Sequence, residues 1–329
     1  MLWFWGNQEL TGEIVDADGD WVRDADLERR ERARLNWFLG AEPDGGFLEA
    51  IDLGPDLAGH LENDPVLFIE MALHPYSGAD TEGTLLWMGT FGGDLVWKLS
   101  VINGALVVES PQKDQPQTLH RIPMDSPFHL NLQLTENSLI GWLNGEEIFT
   151  KEVNLLPQFP DPWDAMVTFG GAPEEEKAWD GAMEYLAMRH ANFDPGKNYD
   201  AWRSAFSART PPQKTTLTAQ LVSAAREPSP ADLSEYGEGI LAMHWKITES
   251  SSDEFSTGEE LLTWSWYFMD QMILEDGRPP KTGEKREITI SPWDVNPQLQ
   301  GIQQIDTDLD PEHLILLPQY FLSDFQPLN

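Results

Sequence analysis

The chain has 329 residues, with 56 Asp and Glu against 21 Lys and Arg, so its formal net charge is −35, and it contains no cysteine. A field this negative repels phosphate backbones and anionic membrane surfaces, which argues against nucleic acid as a partner and against direct insertion into a membrane. Without cysteine there can be no disulfide scaffold, thiolate metal site or cysteine nucleophile, while 40% hydrophobic residues and 14 Trp are ample material for a packed core.

The length suggests two domains. Residues 1–195 carry 35 acids and 11 bases (−24) and residues 196–329 carry 21 and 10 (−11), so the excess belongs to both parts. An acid-rich, Lys-poor surface of this kind is expected of a protein from a saline habitat, or of a merely acidic extracellular or periplasmic protein. The N-terminus, MLWFWGNQEL, has neither a positive n-region nor a small-residue cleavage site, so it does not read as a signal peptide. No stretch reaches the ~20 apolar residues of a spanning helix.

In chain order, Asp24–Phe38 mixes Leu27 and Leu35 with charge and reads as a short helix or an irregular excursion. The runs at 47–52, 66–73, 84–90, 95–101, 105–109, 128–134, 138–143, 147–153, 165–169 and 183–190 then read as strands rich in β-branched, aromatic or Leu residues. Asn103-Gly104 and Asn144-Gly145 are type I′ hairpin dipeptides, and Gly92-Gly93-Asp94 is another tight reversal. In His129–Leu134 the leucines face one way and His129, Asn131 and Gln133 the other, which places His129 on a strand surface. After Asp194-Pro195 the period changes. Tyr199, Trp202 and Phe206 share one face of a three-turn helix that should dock on the sandwich, and Thr210-Pro211-Pro212 ends it. Beyond it, 215–225, 239–248, 261–274 and 286–291 read as strands, with 314–317 as a fifth. The expectation is an all-β chain: a two-sheet antiparallel jelly-roll sandwich over 1–195, a helix and Pro linker over 196–212, and a small β-barrel or sandwich over 213–329, with the five-stranded OB barrel as one form.

Three segments carry a family resemblance. Phe68-Ile69-Glu70-Met71-Ala72-Leu73-His74-Pro75 resembles an early strand of concanavalin A-like, laminin-G-type jelly rolls. The pair Leu130–Leu134 and Ser138–Leu143, closing on Asn144-Gly145-Glu146-Glu147, resembles a hairpin of that family. Phe169-Gly170-Gly171 followed by Trp179-Asp180-Gly181-Ala182-Met183-Glu184-Tyr185-Leu186-Ala187 resembles its closing strands, although Ala72, Ala187 and Met188 depart from the usual aromatic positions. The match covers about residues 47–195. It implies a superfold that hosts glycan binding, protein adhesion and glycoside hydrolysis, so the fold alone does not choose among them.

Chemistry-bearing groupings are sparse. Glycoside hydrolases of this superfold resemble one another in a strand with alternate carboxylates, which no segment here has; Glu70 and Glu184 stand alone in their strands. There is no G-x-S-x-G elbow, and the seven histidines form no zinc-type grouping. Calcium is the candidate metal, since Asp16, Asp18 and Asp20 offer carboxylates at alternate positions. Asp306, Asp308 and Asp310 repeat the spacing, and the loop residues Asp80 and Asp94 are alternatives. With 56 acids such clusters also arise by chance, and no cofactor is required. Trp87, Trp97 and Trp142 lie in apolar runs and read as core, whereas Trp163 and Trp179, with Trp264 and Trp266 on one face of a later strand, are the candidate contacts to a ligand or partner.

The reading that follows is a non-catalytic recognition module for a glycan or a protein partner. The alternatives are a structural or accessory subunit of a larger assembly, including one at a membrane, and a glycoside hydrolase with an unrecognised acid pair. The fold favours a place outside the cytoplasm, periplasmic or secreted.

Overall fold

Period-2 patterning and hairpin dipeptides build most of what the computed structural model shows. It describes residues 3–6, 27–36, 38–76, 83–173, 178–189, 194–229, 237–269, 272–296, 299 and 302–327. The chain divides into two compact units, Met1–Arg209 and Thr210–Asn329.

The first unit contains strands β1 (Trp3–Gly6), β2 (Leu27–Arg30), β3 (Arg34–Asn36), β4 (Gly40–Glu42) and β5 (Phe47–Ala50), then helix α1 (Leu53–Asn63). There follow β6 (Val66–Pro75), β7 (Gly83–Thr90), β8 (Leu95–Ile102), β9 (Ala105–Glu109), β10 (Gln117–Arg121), β11 (Phe128–Thr135), β12 (Leu139–Leu143), β13 (Glu146–Lys151), β14 (Ala165–Phe169) and β15 (Gly181–Arg189), and finally helix α2 (Pro195–Ala208). One sheet runs β13-β12-β11-β6-β15-β4-β3, with β1 also on β15; the other runs β10-β9-β8-β7-β14-β5-β2. Their pairings are antiparallel, and the two sheets form a jelly-roll sandwich. Ile69, Met71, Leu73, Leu130, Leu132 and Leu186 of the first sheet share one buried core with Leu86, Met88, Trp97, Leu99 and Val167 of the second. The alternation in β11 therefore does what its pattern implies, with Leu130 and Leu132 inward and His129 and Asn131 outward.

Two local readings change. The described part of 24–38 is the strands β2 and β3 and not a helix, because pairing of β2 with β5 and of β3 with β4 outweighs a weak helical pattern. α1 has no counterpart in the strand reading; its Leu53 and Leu57 join the sandwich core. α2 belongs to the first unit, with Asp194 capping its start by accepting from Lys197 N at 3.1 Å and Pro195 in its first turn.

The second unit contains β16 (Thr215–Ala224), β17 (Glu238–Ser250), β18 (Glu260–Met269), β19 (Met272–Ile273), β20 (Lys285–Pro292), β21 (Gln303–Ile305), helix α3 (Pro311–Leu316) and β22 (Gln319–Pro327). The pairings β16–β17, β17–β18, β18–β22, β22–β20 and β20–β16 close a five-stranded barrel whose one parallel pair is β18–β22. Numbered within the barrel, the order is 1-2-3-5-4-1, the connectivity of the OB fold. Residues 314–317 lie in and after α3, not in a strand: Asp310 caps that helix and Pro311 opens it.

Candidate functional site

The outer face of the first sheet should meet water, yet it is the most polar buried surface of the first unit. Along β6 the period of two places Glu70, Ala72 and His74 on this face, and β11 adds His129 and Asn131 beside them through the register His129↔Ala72 and Asn131↔Glu70. On β15 a β-bulge between Met183 and Tyr185 sets Glu184 and Tyr185 together against Ala72. Met183 and Leu186 thereby both stay in the core while Glu184 remains outside it. Gly40 backs this bulge at φ 101°; a Cβ there would stand 2.2 Å from the Met183 carbonyl oxygen.

Helix α2 closes over this face. Its aromatic stripe lies on the two histidines: Trp202 stacks on His129 at 5.7 Å and on Phe206 at 5.9 Å, and Phe206 meets His74 at 4.9 Å. Each carboxylate beneath it collects one His, one Arg and one neutral donor from the helix. Glu70 accepts from His129 Nε2 at 2.9 Å, Arg189 Nε at 3.1 Å and Asn198 Nδ2 at 3.1 Å. Glu184 accepts from His74 Nε2 at 2.6 Å, Trp202 Nε1 at 3.0 Å and the Arg209 guanidinium. Arg209, just past the helix end, also donates to the Phe38 carbonyl at 3.0 Å. Burial opposes ionisation of Glu70, but the His129 hydrogen bond and the Arg189 charge outweigh it and hold the carboxyl below its ordinary value. Burial and the neighbouring Glu70 charge push the Tyr185 hydroxyl well above its usual range. His129 is therefore sealed, not a strand-surface residue, because α2 replaces water on its face.

The sequence-derived contact residues separate. Trp163 is 82% exposed. It sits in a 3₁₀ turn, Pro162–Asp164, whose cap Asp161 accepts from Trp163 N at 3.0 Å. The Asp164 carbonyl in turn accepts from Phe91 N at 3.0 Å, which ties this turn to the β7–β8 reversal, and Phe91 is itself 62% exposed. Trp179, Trp264 and Trp266 are buried, not surface contacts. Trp179 packs in the sandwich core just before β15, and Trp264 meets Trp293 at 5.8 Å and donates to Gln319 at 3.1 Å. Trp97 is core as read, while Trp87 joins a separate small cluster with Phe47 and Met166, and Trp142 is only half-buried.

Asp16, Asp18, Asp20 and Asp80 lie outside the described residues. Asp310 is spent on the α3 cap and Asp308 meets Arg226 at 3.5 Å, so the second acidic run is not gathered about a common point. Among the described residues no group of three or more His, Asp and Glu is arranged to hold a metal ion, and no helix is long and apolar enough to cross a membrane. The sequence reading missed the Glu70–Glu184 network; its signal was the polar period-2 row on β6 and β11 together with an aromatic helix face that had to be buried somewhere.

The two units are thus a jelly-roll sandwich and an OB-type barrel. No protein-family model and no curated protein matches the chain. Among solved structures it is similar to a heptameric SAP-like pentraxin from Limulus polyphemus, at 14% identity and TM-score 0.33, over 41% of this chain and 68% of that one. It is similar to the sialidase of Trypanosoma rangeli at 12% identity and TM-score 0.45, over 63% of this chain and 33% of that one, so it spans about a third of that protein's length. A botulinum neurotoxin type C structure, from work on cell entry dependent on two ganglioside molecules, matches at 11% identity and TM-score 0.42, over 87% of this chain and 72% of that one. These are likenesses of β build alone.

Proposed function

We propose that the chain is a non-catalytic recognition module that binds a neutral glycan at the end of the sandwich presenting Trp163 and Phe91. The observation that carries this reading is the presentation of two large aromatic rings to solvent on adjacent turns tied by the Phe91–Asp164 backbone hydrogen bond. Flat apolar rings match the C–H faces of pyranoses, and a turn held by a side-chain cap and a proline loses little freedom on binding. The resemblance of residues 47–195 to laminin-G-type jelly rolls fits such a role. The net charge of −35, with Asp94, Asp161 and Asp164 on the same turns, selects neutral over anionic sugars.

The non-catalytic part rests on Glu70 and Glu184. Each already accepts three donors beneath α2. Neither is placed to protonate a leaving group or to attack an anomeric carbon. A second reading, an accessory subunit of a larger assembly, draws on the exposed neighbours Ile315 and Leu316 of α3.

A glycan array in the presence and absence of calcium, followed by calorimetry on the best hit, tests the proposal. Trp163→Ala should weaken a neutral glycan at least ~10-fold, about 1.4 kcal/mol, with Phe91→Ala acting in the same direction. Unfolding midpoints should stay put, because neither side chain is packed. Silence on the array, or unchanged affinity in Trp163→Ala, defeats the glycan reading, and a stoichiometric native partner would then favour the subunit.

A further inference from the structure

The barrel carries a polar cluster that glycan recognition does not use. His244 stands on β17, opposite Leu262 of β18, with its side chain fully buried, and His313 of α3 lies against it at a ring-centroid distance of 4.4 Å with the planes inclined by 56°. His244 Nε2 bonds Glu260 Oε2 at 3.1 Å. A neutral ring donating its Nε2 proton to a carboxylate keeps the lone pair on Nδ1, the arrangement by which a second carboxylate orients a metal-bound histidine. Nδ1 of His244 and Nδ1 of His313 are both buried and neither has a hydrogen-bond partner. Two orphaned imidazole nitrogens in one contact are costly unless something uses them.

We propose that His244 and His313 are a bidentate nitrogen site for a divalent transition-metal ion, Cu²⁺ or Ni²⁺, with Glu260 as the positioning carboxylate. Imidazole suits these ions, and hard cations such as calcium prefer oxygen. Among divalent first-row ions the affinity of nitrogen ligands rises through Ni²⁺ to Cu²⁺. Two protein ligands would leave the remaining positions to water, so the ion would be exchangeable. It would enter from the side of α3, a six-residue helix on which His313 is only half-buried.

The full chain, stripped with chelator, is titrated with Cu²⁺, Ni²⁺, Ca²⁺ and Mg²⁺ by calorimetry, and the one-equivalent Cu²⁺ sample is examined by electron paramagnetic resonance. The proposal expects one Cu²⁺ with hyperfine coupling to two imidazole nitrogens, no comparable site for Ca²⁺ or Mg²⁺, and loss of the two-nitrogen signal in His313→Gln. Glu260→Gln should weaken Cu²⁺ about 10–100-fold without removing that signal. His313→Gln keeps the test decisive should His244→Gln fail to fold. An oxygen-only copper signal, as the acidic surface alone would give, or a His313→Gln protein that binds as the native one does, overturns the site. Glycan binding through Trp163 is read independently and is untouched by either result.

Discussion

Glu70 shows how one residue can be structural and charged at once. Its carboxyl is ionised beneath a helix because His129, Arg189 and Asn198 supply the donors that water would have supplied. Its folded pKa lies below the ordinary 4.5, so between that value and the folded one the native chain binds fewer protons than the unfolded chain. The stabilisation is therefore complete above the unfolded pKa and is lost as pH falls through the folded one. Urea midpoints of the first unit measured downward from pH 6 should drop below about pH 4.5. In Glu70→Gln the profile should be flatter and lower at neutral pH; parallel profiles for the two proteins would show that Glu70 is not the linked group.

At the scale of elements, α2 turns the network into a cover. The stripe Tyr199, Trp202, Phe206 is legible in the sequence as an amphipathic face, and burying it holds the helix on the sheet. What it covers is not legible. That Glu184 and Tyr185 face the helix together depends on a one-residue bulge in β15, whose trace in the sequence is the three-residue step from Met183 to Leu186, and that step by itself does not say which residue is the extra one. Trp202 bridges both effects, stacking on His129 and donating to Glu184. Trp202→Phe keeps the stack but leaves a charged acceptor short of a donor and should cost about 1.5–3 kcal/mol, whereas Trp202→Ala should cost about 3–5 kcal/mol. Chemical denaturation followed by near-ultraviolet circular dichroism separates the two; an unchanged stability in Trp202→Phe would mean that the Glu184 hydrogen bond contributes nothing.

For the whole molecule the charge of −35 is a surface property. Glu70 and Glu184 are neutralised within their own clusters, and the remaining excess repels itself across solvent, where salt screens it. Raising sodium chloride from about 0.1 to 1 M shortens the screening length from about 10 to 3 Å. The melting temperature of the full chain should rise with it, and a flat or falling profile in thermal scans would show that the acids are not in net repulsion.

Strand period, hairpin dipeptides, the aromatic helix face and the acidic surface were all determined by the sequence, because each is a local rule about which side of an element meets water or where the chain must turn. The order of the barrel strands, the burial of Trp179, Trp264 and Trp266, the exposure of Trp163 beside Phe91, and the meetings of Glu70 with Arg189, Glu184 with Arg209 and His244 with His313 were decided only by the tertiary structure. The alternation in Glu70–His74 states that these side chains leave the core. Whether they then reach water or another element depends on what packs over the sheet, and that is set by contacts between residues more than a hundred positions apart, such as His74 with Glu184.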